Sequence, residues 1–197
     1  MRALRVLAIA GLLGAAVFSV QAAPVTYQLD PGHTLVLFSW SHFGFSHPSA
    51  ALTLGSGTLV FDEKQPSKSS VQVTLPLANL DTHVSALDAH LKAPDFFDVA
   101  KYPDVTFKST KVQPLGGDKF KLTGDLTVHG VTKSVVLEAK LNKIGEHPMR
   151  KVSAIGFDAT GTLKRSDFGV AAYVPNVSDE ITIHITTEGV AKADAAK

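Results

Sequence analysis

The stretch from Lys119 to Asn142, KFKLTGDLTVHGVTKSVVLEAKLN, restricts the fold more than any other. Phe120, Leu122, Gly124, Leu126 and Val128 alternate with Lys119, Lys121, Thr123, Asp125 and Thr127, the period of two that gives a strand one apolar and one wet face. After His129-Gly130 the apolar set shifts to Val131, Val135, Leu137, Ala139 and Leu141, as a tight glycine turn between antiparallel strands requires. Arms of about eleven residues at roughly 3.3 Å per residue reach on the order of 36 Å. Mean strands are only about five to six residues long, so this hairpin predicts a tall, curved sheet enclosing something rather than a small sandwich.

The same alternation recurs along the chain. Val25, Tyr27 and Leu29 open it, and Asp30-Pro31-Gly32 makes a turn. Thr34 to Phe43 reads as one strand that is apolar on both faces, with Val36, Phe38, Trp40 and His42 on one side and Leu35 and Leu37 on the other. Such a strand is expected to be covered twice, by the interior and by a helix or second subunit. Ala51 to Asp62 reads as a further strand, and Val71 to Leu77 as another. The period changes at Asp81. Val84, Leu87 and Leu91 fall at helical spacing behind candidate N-caps Asp81 and Thr82, predicting one short helix over about 83–92. Strands resume at Val105-Phe107, at Ile155-Phe157-Ala159 and at Ile181-Ile183-Ile185.

The first 22 residues stand apart from this pattern. Arg2 and Arg5 precede an apolar run, and Val20-Gln21-Ala22 supplies small residues at the positions of a cleavage site, so 1–22 reads as a secretory signal peptide rather than an integral span. The expected product is a single domain over 23–190 with a frayed tail over 191–197, exported to the periplasm of a Gram-negative bacterium. Without Arg2 and Arg5 the charge passes from +1 to −1, which offers no electrostatic footprint for nucleic acid. The absence of cysteine excludes disulfides, thiolate chemistry and thiolate metal sites.

Eight or nine long amphipathic strands with one helix predict an all-β fold, an eight-stranded antiparallel lipocalin-like barrel with the helix capping or flanking it. A two-layer sandwich is the alternative. A series of phrases then resembles the YceI-like, polyisoprenoid-binding family across nearly all of the mature chain. They include Asp30-x-x-His33, His42-Phe43-Gly44-Phe45-Ser46, Asp88-x-His90-Leu91, Phe96-Phe97-Asp98, Tyr102-Pro103, Leu126-Thr127-x-His129-Gly130-Val131-Thr132 and Arg165-Ser166-Asp167-Phe168-Gly169. The chain departs at Ala50 and Leu52, where the family usually has glycine and phenylalanine, which bears on the barrel's shape there. The resemblance implies a barrel that is often dimeric, with a hydrophobic tunnel for an isoprenoid or similar fatty amphiphile, no cofactor and no known catalysis. Burying about a dozen methylenes at roughly 0.8 kcal/mol each gives on the order of 10 kcal/mol gross. That only marginally offsets an association cost of about 4–15 kcal/mol, so long chains bind best.

Strand parity nominates Phe38, Trp40, Phe61, Phe107, Phe120, Leu122, Leu126, Leu137, Ile155 and Phe157 as inward-facing ligand contacts, or else as an ordinary filled core. Phe96, Phe97 and Phe168 lie off the strands, where they either gate a tunnel mouth or plug it. His42 is a candidate buried partner for a ligand head group, or a histidine satisfied by a neighbouring carbonyl or carboxylate. Arg165 is a candidate anion receptor, or a structural pair with Asp167 or Asp179. Two other functional classes stay in view: an adaptor working through its outer surface, and a hydrolase or metalloenzyme. The latter would draw on Ser46 beside His42, or on His83 and His90 seven apart on one helical face. No glycine elbow surrounds the serine, and two helical turns are too far for the histidines to share an ion unaided.

Overall fold

The computed structural model describes residues 23–192. Residues 1–22, expected to be a signal peptide, and residues 193–197 of the expected tail lie outside the described residues.

Ten strand segments follow one another as β1 (Val25–Leu29), β2 (Leu35–Ser39), β3 (Ser49–Thr53), β4 (Ser56–Phe61), β5 (Ser70–Pro76), β6 (Asp104–Gly116), β7 (Lys119–Val128), β8 (Val131–Glu146), β9 (Ser153–Lys164) and β10 (Glu180–Ala191), with helix α1 (Ser85–Lys92) between β5 and β6. All pairings are antiparallel. The ring β1-β4-β5-β6-β7-β8-β9-β10 closes when β10 meets β1, giving an eight-stranded barrel. β2 and β3 are not additional walls. β2 pairs with the first half of β10 and β1 with its last residues, so β1 and β2 lie end to end along one edge, interrupted by the turn Asp30–His33. β3 and β4 likewise form one interrupted wall, broken at Leu54-Gly55.

Both breaks correct the sequence reading. The strand expected over Thr34–Phe43 stops at Ser39, and the one expected over Ala51–Asp62 is two strands. At the first stop the chain turns sharply: Phe43 and Gly44 take φ of 53° and 73°, and the His42 N–H bonds Ser46 O at 2.9 Å. The first two residues of the expected tail are held as well: Ala191 pairs with Tyr27, and the Lys192 N–H bonds Thr26 O at 3.0 Å.

The hairpin behaves as its parity requires. His129 and Gly130, with φ of 51° and 72°, form the two-residue turn that sets Val128 opposite Val131, Leu122 opposite Leu137 and Phe120 opposite Ala139. A Cβ on Gly130 would stand 2.4 Å from Tyr102 Cε1, so only glycine lets the Tyr102 ring lie against the turn.

The two ends of the barrel differ. One carries short turns, at Gly117-Asp118, 147–152 and 62–69. The other carries the long excursions 40–48, 77–103 and 165–179. The helix sits among the latter, turning Leu87 and Leu91 toward the interior, and does not cover the outer face of β2, where Leu37 is exposed. Its start also differs from expectation. Val84 is the N-cap and is exposed, while Thr82 accepts the Val84 N–H at 3.2 Å and lies 2.6 Å from Asp88 Oδ1.

Candidate functional site

The apolar faces of the strands surround a cavity of about 540 Å³ that opens among the long excursions. Fourteen of the fifteen nominated residues line it: Phe38, Trp40, His42, Phe61, Phe96, Phe97, Phe107, Phe120, Leu122, Leu126, Leu137, Phe157, Arg165 and Phe168. Ile155 does not. It is buried opposite Gly189 and Ile144 toward the short-turn end, below the ring of Phe157, so it belongs to the packed base.

Aromatic rings concentrate at both ends of this space. At the short-turn end Phe61, Phe120 and Phe157 meet edge to face at centroid distances of 5.8–6.3 Å and form a floor. At the open end Phe38 lies 5.8 Å from Trp40 and 6.2 Å from Phe97, and Phe96 stacks on Tyr173 at 6.2 Å. Between them the wall is aliphatic or small, with Val73, Leu122, Val135, Ala139, Ala159, Ile183 and Ile185. Phe168 is 2% exposed and packs into the wall of the cavity.

The polar groups of the wall are spent on one another. Thr34 and Thr187 share a hydroxyl bond of 2.8 Å, and the Ser69 hydroxyl accepts the Asp62 N–H at 3.0 Å. Among the described residues no buried side-chain nitrogen or oxygen lacks a partner. A space so lined is a poor host for water, which needs two to four polar partners, and a good host for hydrocarbon.

Arg165 corrects the anion-receptor expectation. Its Nε donates to Ser178 O at 2.9 Å, its Nη1 to Val170 O at 2.8 Å, and its Nη2 to Ala172 O at 2.8 Å and Val177 O at 2.9 Å. The guanidinium is thus a clamp on the loop 169–178, with its fork occupied by carbonyls. Burial lowers its pKa from the ordinary value, and Asp179 opposes that shift. Nor is it an ion pair with Asp167 or Asp179. The Asp179 carboxylate accepts the Ser166 N–H at 2.9 Å and the Ser166 O–H at 2.8 Å instead.

His42 is exposed at the rim, not buried, with its ring edge-on to Phe43 at 4.7 Å. It and Ser46 are joined through the backbone, as the two ends of a turn. His83 lies outside the helix with φ of 60° and pairs with Asp81, whereas His90 lies 3.4 Å from Asp95 and edge-on to Phe96 at the mouth. Among the described residues no three histidine or acidic side chains gather as a metal site would need.

Sequence reasoning overlooked several lining residues. Ile181, Ile183 and Ile185 were available from the parity of the last strand, and Leu87 and Leu91 from the helical spacing. Tyr173 sits in an irregular loop and carries no periodic signal at all.

Known proteins share this architecture. Protein YceI of Escherichia coli O157:H7 is 40% identical over 171 residues, covering 86% of this chain and 88% of that one. The crystal structure of Burkholderia cenocepacia BcnA matches with a TM-score of 0.73 at 25% identity, covering 81% of this chain and 98% of that one. A polyisoprenoid binding domain from Saccharophagus degradans shares the fold, with a TM-score of 0.63 at 12% identity over 85% of this chain and 99% of that one. The YceI-like domain model spans residues 27–189, and with this closed barrel, its short helix and its lined interior the chain belongs to the YceI-like family.

Proposed function

We propose that the protein binds a long-chain isoprenoid or similar amphiphile in the barrel, tail inward and head group at the mouth, and performs no reaction on it. The observation that carries this is the cavity itself: about 540 Å³, walled by hydrocarbon, closed by three phenylalanines at one end and open at the other. The binding named for the Saccharophagus degradans domain, which shares the fold, supports the same ligand class.

The energetics favour a long tail. Each methylene moved from water to this wall contributes about 0.8 kcal/mol, and about 4–15 kcal/mol of association cost must be overcome first. Polar groups at the rim, His42, His90 with Asp95, and Tyr173, are placed to meet a head group by hydrogen bonding. The apolar run after Arg2 and Arg5 supports export to the periplasm, where an insoluble lipid needs a carrier between membranes.

Native mass spectrometry of the protein purified from its host tests the proposal. The expected result is a copurified apolar ligand that organic extraction removes and an added prenyl alcohol replaces. A protein that emerges ligand-free and takes up no prenyl or fatty alcohol would refute it.

A further inference from the structure

Phe61 ends β4, and its ring is 5% exposed. On one side it lines the apolar cavity. On the other it lines a second pocket at the short-turn end, together with Tyr27, Glu63, Lys64, Ile144 and Ser153. Among the described residues no other side chain lines both. The two spaces are therefore separated at this place by the thickness of one ring.

That ring is held from two directions. Phe120 and Phe157 meet it edge to face at 6.3 Å and 5.8 Å. The residue after it anchors a tight turn, with the Asp62 carboxylate accepting the N–H groups of Lys64 at 3.0 Å and Gln65 at 2.8 Å and the Asp62 N–H bonding Ser69 Oγ at 3.0 Å. A side chain pinned this way presents a fixed stop to anything entering from the mouth.

Resting on the reading of the apolar cavity as a lipid site, we propose that Phe61 sets the longest tail the barrel accepts. The second pocket is the path a longer tail takes once the ring is gone. From Phe157 at the floor to Leu163 near the mouth is a run along β9 of roughly 20 Å, or about 15 Å of depth for strands tilted near 40°. An extended chain advances about 1.2 Å per bond. About a dozen bonds, or three isoprene units, fit straight before the tail meets Phe61, and longer tails must fold back or stay outside.

The test is affinity against tail length, for a series of alcohols from geraniol through farnesol and geranylgeraniol to solanesol, by displacement of a fluorescent fatty acid from the purified exported protein. Affinity of the unmodified protein should rise by up to roughly fourfold per buried methylene and then level off. Phe61→Ala should rise with the same initial slope and level off at a longer tail. Phe61→Leu should move the break in the same direction by less, and it carries the test if the alanine variant does not fold. Identical breaks in the unmodified protein and both Phe61 variants would overturn the role of Phe61 and leave the lipid site standing. Failure of the unmodified protein to bind any of the alcohols would overturn both.

Discussion

Replacing Arg165 by alanine is expected to remove about 3–5 kcal/mol of stability. The side chain is 8% exposed and gives four charge-assisted hydrogen bonds to the carbonyls of Val170, Ala172, Val177 and Ser178. Taken singly, such bonds are worth about 1.5–3 kcal/mol each, a nominal 6–12 kcal/mol. The real loss is smaller, because Ala172, Val177 and Ser178 are only half-buried and their carbonyls regain water as the loop loosens, while Val170 lies deep. What remains is close to the cost of breaking a buried charged contact. Urea denaturation followed by far-ultraviolet circular dichroism measures it. Arg165→Met, which keeps the apolar stem, should lose nearly as much, and Arg165→Lys should recover only part, since an ammonium is a point donor and cannot span four diverging acceptors.

A second readout separates the clamp from a head-group receptor. In Arg165→Lys, amphiphiles of equal tail with a phosphate or a neutral head should weaken together, because the loop 169–178 that walls the mouth has loosened. All three variants within about 1 kcal/mol of the parent, or a selective loss of phosphate-headed ligand at unchanged stability, would refute the clamp.

Gly124→Val places a Cβ 2.3 Å from Phe107 Cζ and 2.7 Å from Lys108 O; about 1–3 kcal/mol should be lost in thermal melts, and Phe107→Ala in the same chain should restore part of it. Burial pushes the Asp179 carboxyl up, but the Ser166 N–H and O–H, with Lys164 and Arg165 nearby, hold it below the ordinary 3.8. A lowered folded value means stability that is fully present above the unfolded value and lost as pH falls through the folded one, so Asp179→Asn should flatten the stability profile below about pH 5 and lower the plateau at pH 7. Trp40, the single tryptophan, lines the mouth side of the cavity, so filling the barrel with a saturated-chain amphiphile should change its emission; Trp40→Phe should abolish the signal while binding persists in a displacement assay.

The inward set was legible because a strand's period of two admits only one interior face, and the hairpin Lys119–Asn142 stated that face twice with a known turn between. The two broken walls were less so. Residues 34–43 alternate without interruption in composition, so the stop at Ser39 left no local mark, whereas over 51–62 the apolar parity passes from Leu52 and Leu54 to Leu59 and Phe61 across Gly55-Ser56-Gly57, a signal of the break at Leu54-Gly55 that the single-strand reading passed over. The Gly55 N–H bonds Thr74 O at 2.9 Å, a tertiary contact that no local pattern announces. Arg165 shows the same limit for polar groups. Its sequence neighbours Asp167 and Asp179 suggested an ion pair, yet its acceptors are main-chain carbonyls, which every residue carries and which therefore leave no mark in the sequence.

Parity alone could not decide between a hollow and a filled barrel, because it names the residues that face inward without saying whether they meet. That depends on how side-chain size is distributed along the axis. The inner face of β9 runs Phe157, Ala159, Gly161, Leu163, so its own bulk lies toward its ends, and its middle is covered only by Leu137, whose Cδ2 lies 2.7 Å from where a Cβ on Gly161 would stand. Beside it in the wall, β10 supplies Ile181, Ile183 and Ile185, β-branched and too short to cross a barrel of this girth. The rings that could cross, Phe61, Phe120 and Phe157 at one end and Phe38, Trp40 and Phe97 at the other, pair with each other within their own layer. Moving a single ring from a layer to the middle should therefore fill the hollow without disturbing the walls. Ala159→Phe is expected to abolish uptake of prenyl alcohols while keeping a cooperative melt, and a variant that still took them up with unchanged affinity would show that the tail does not occupy the space between the two aromatic layers.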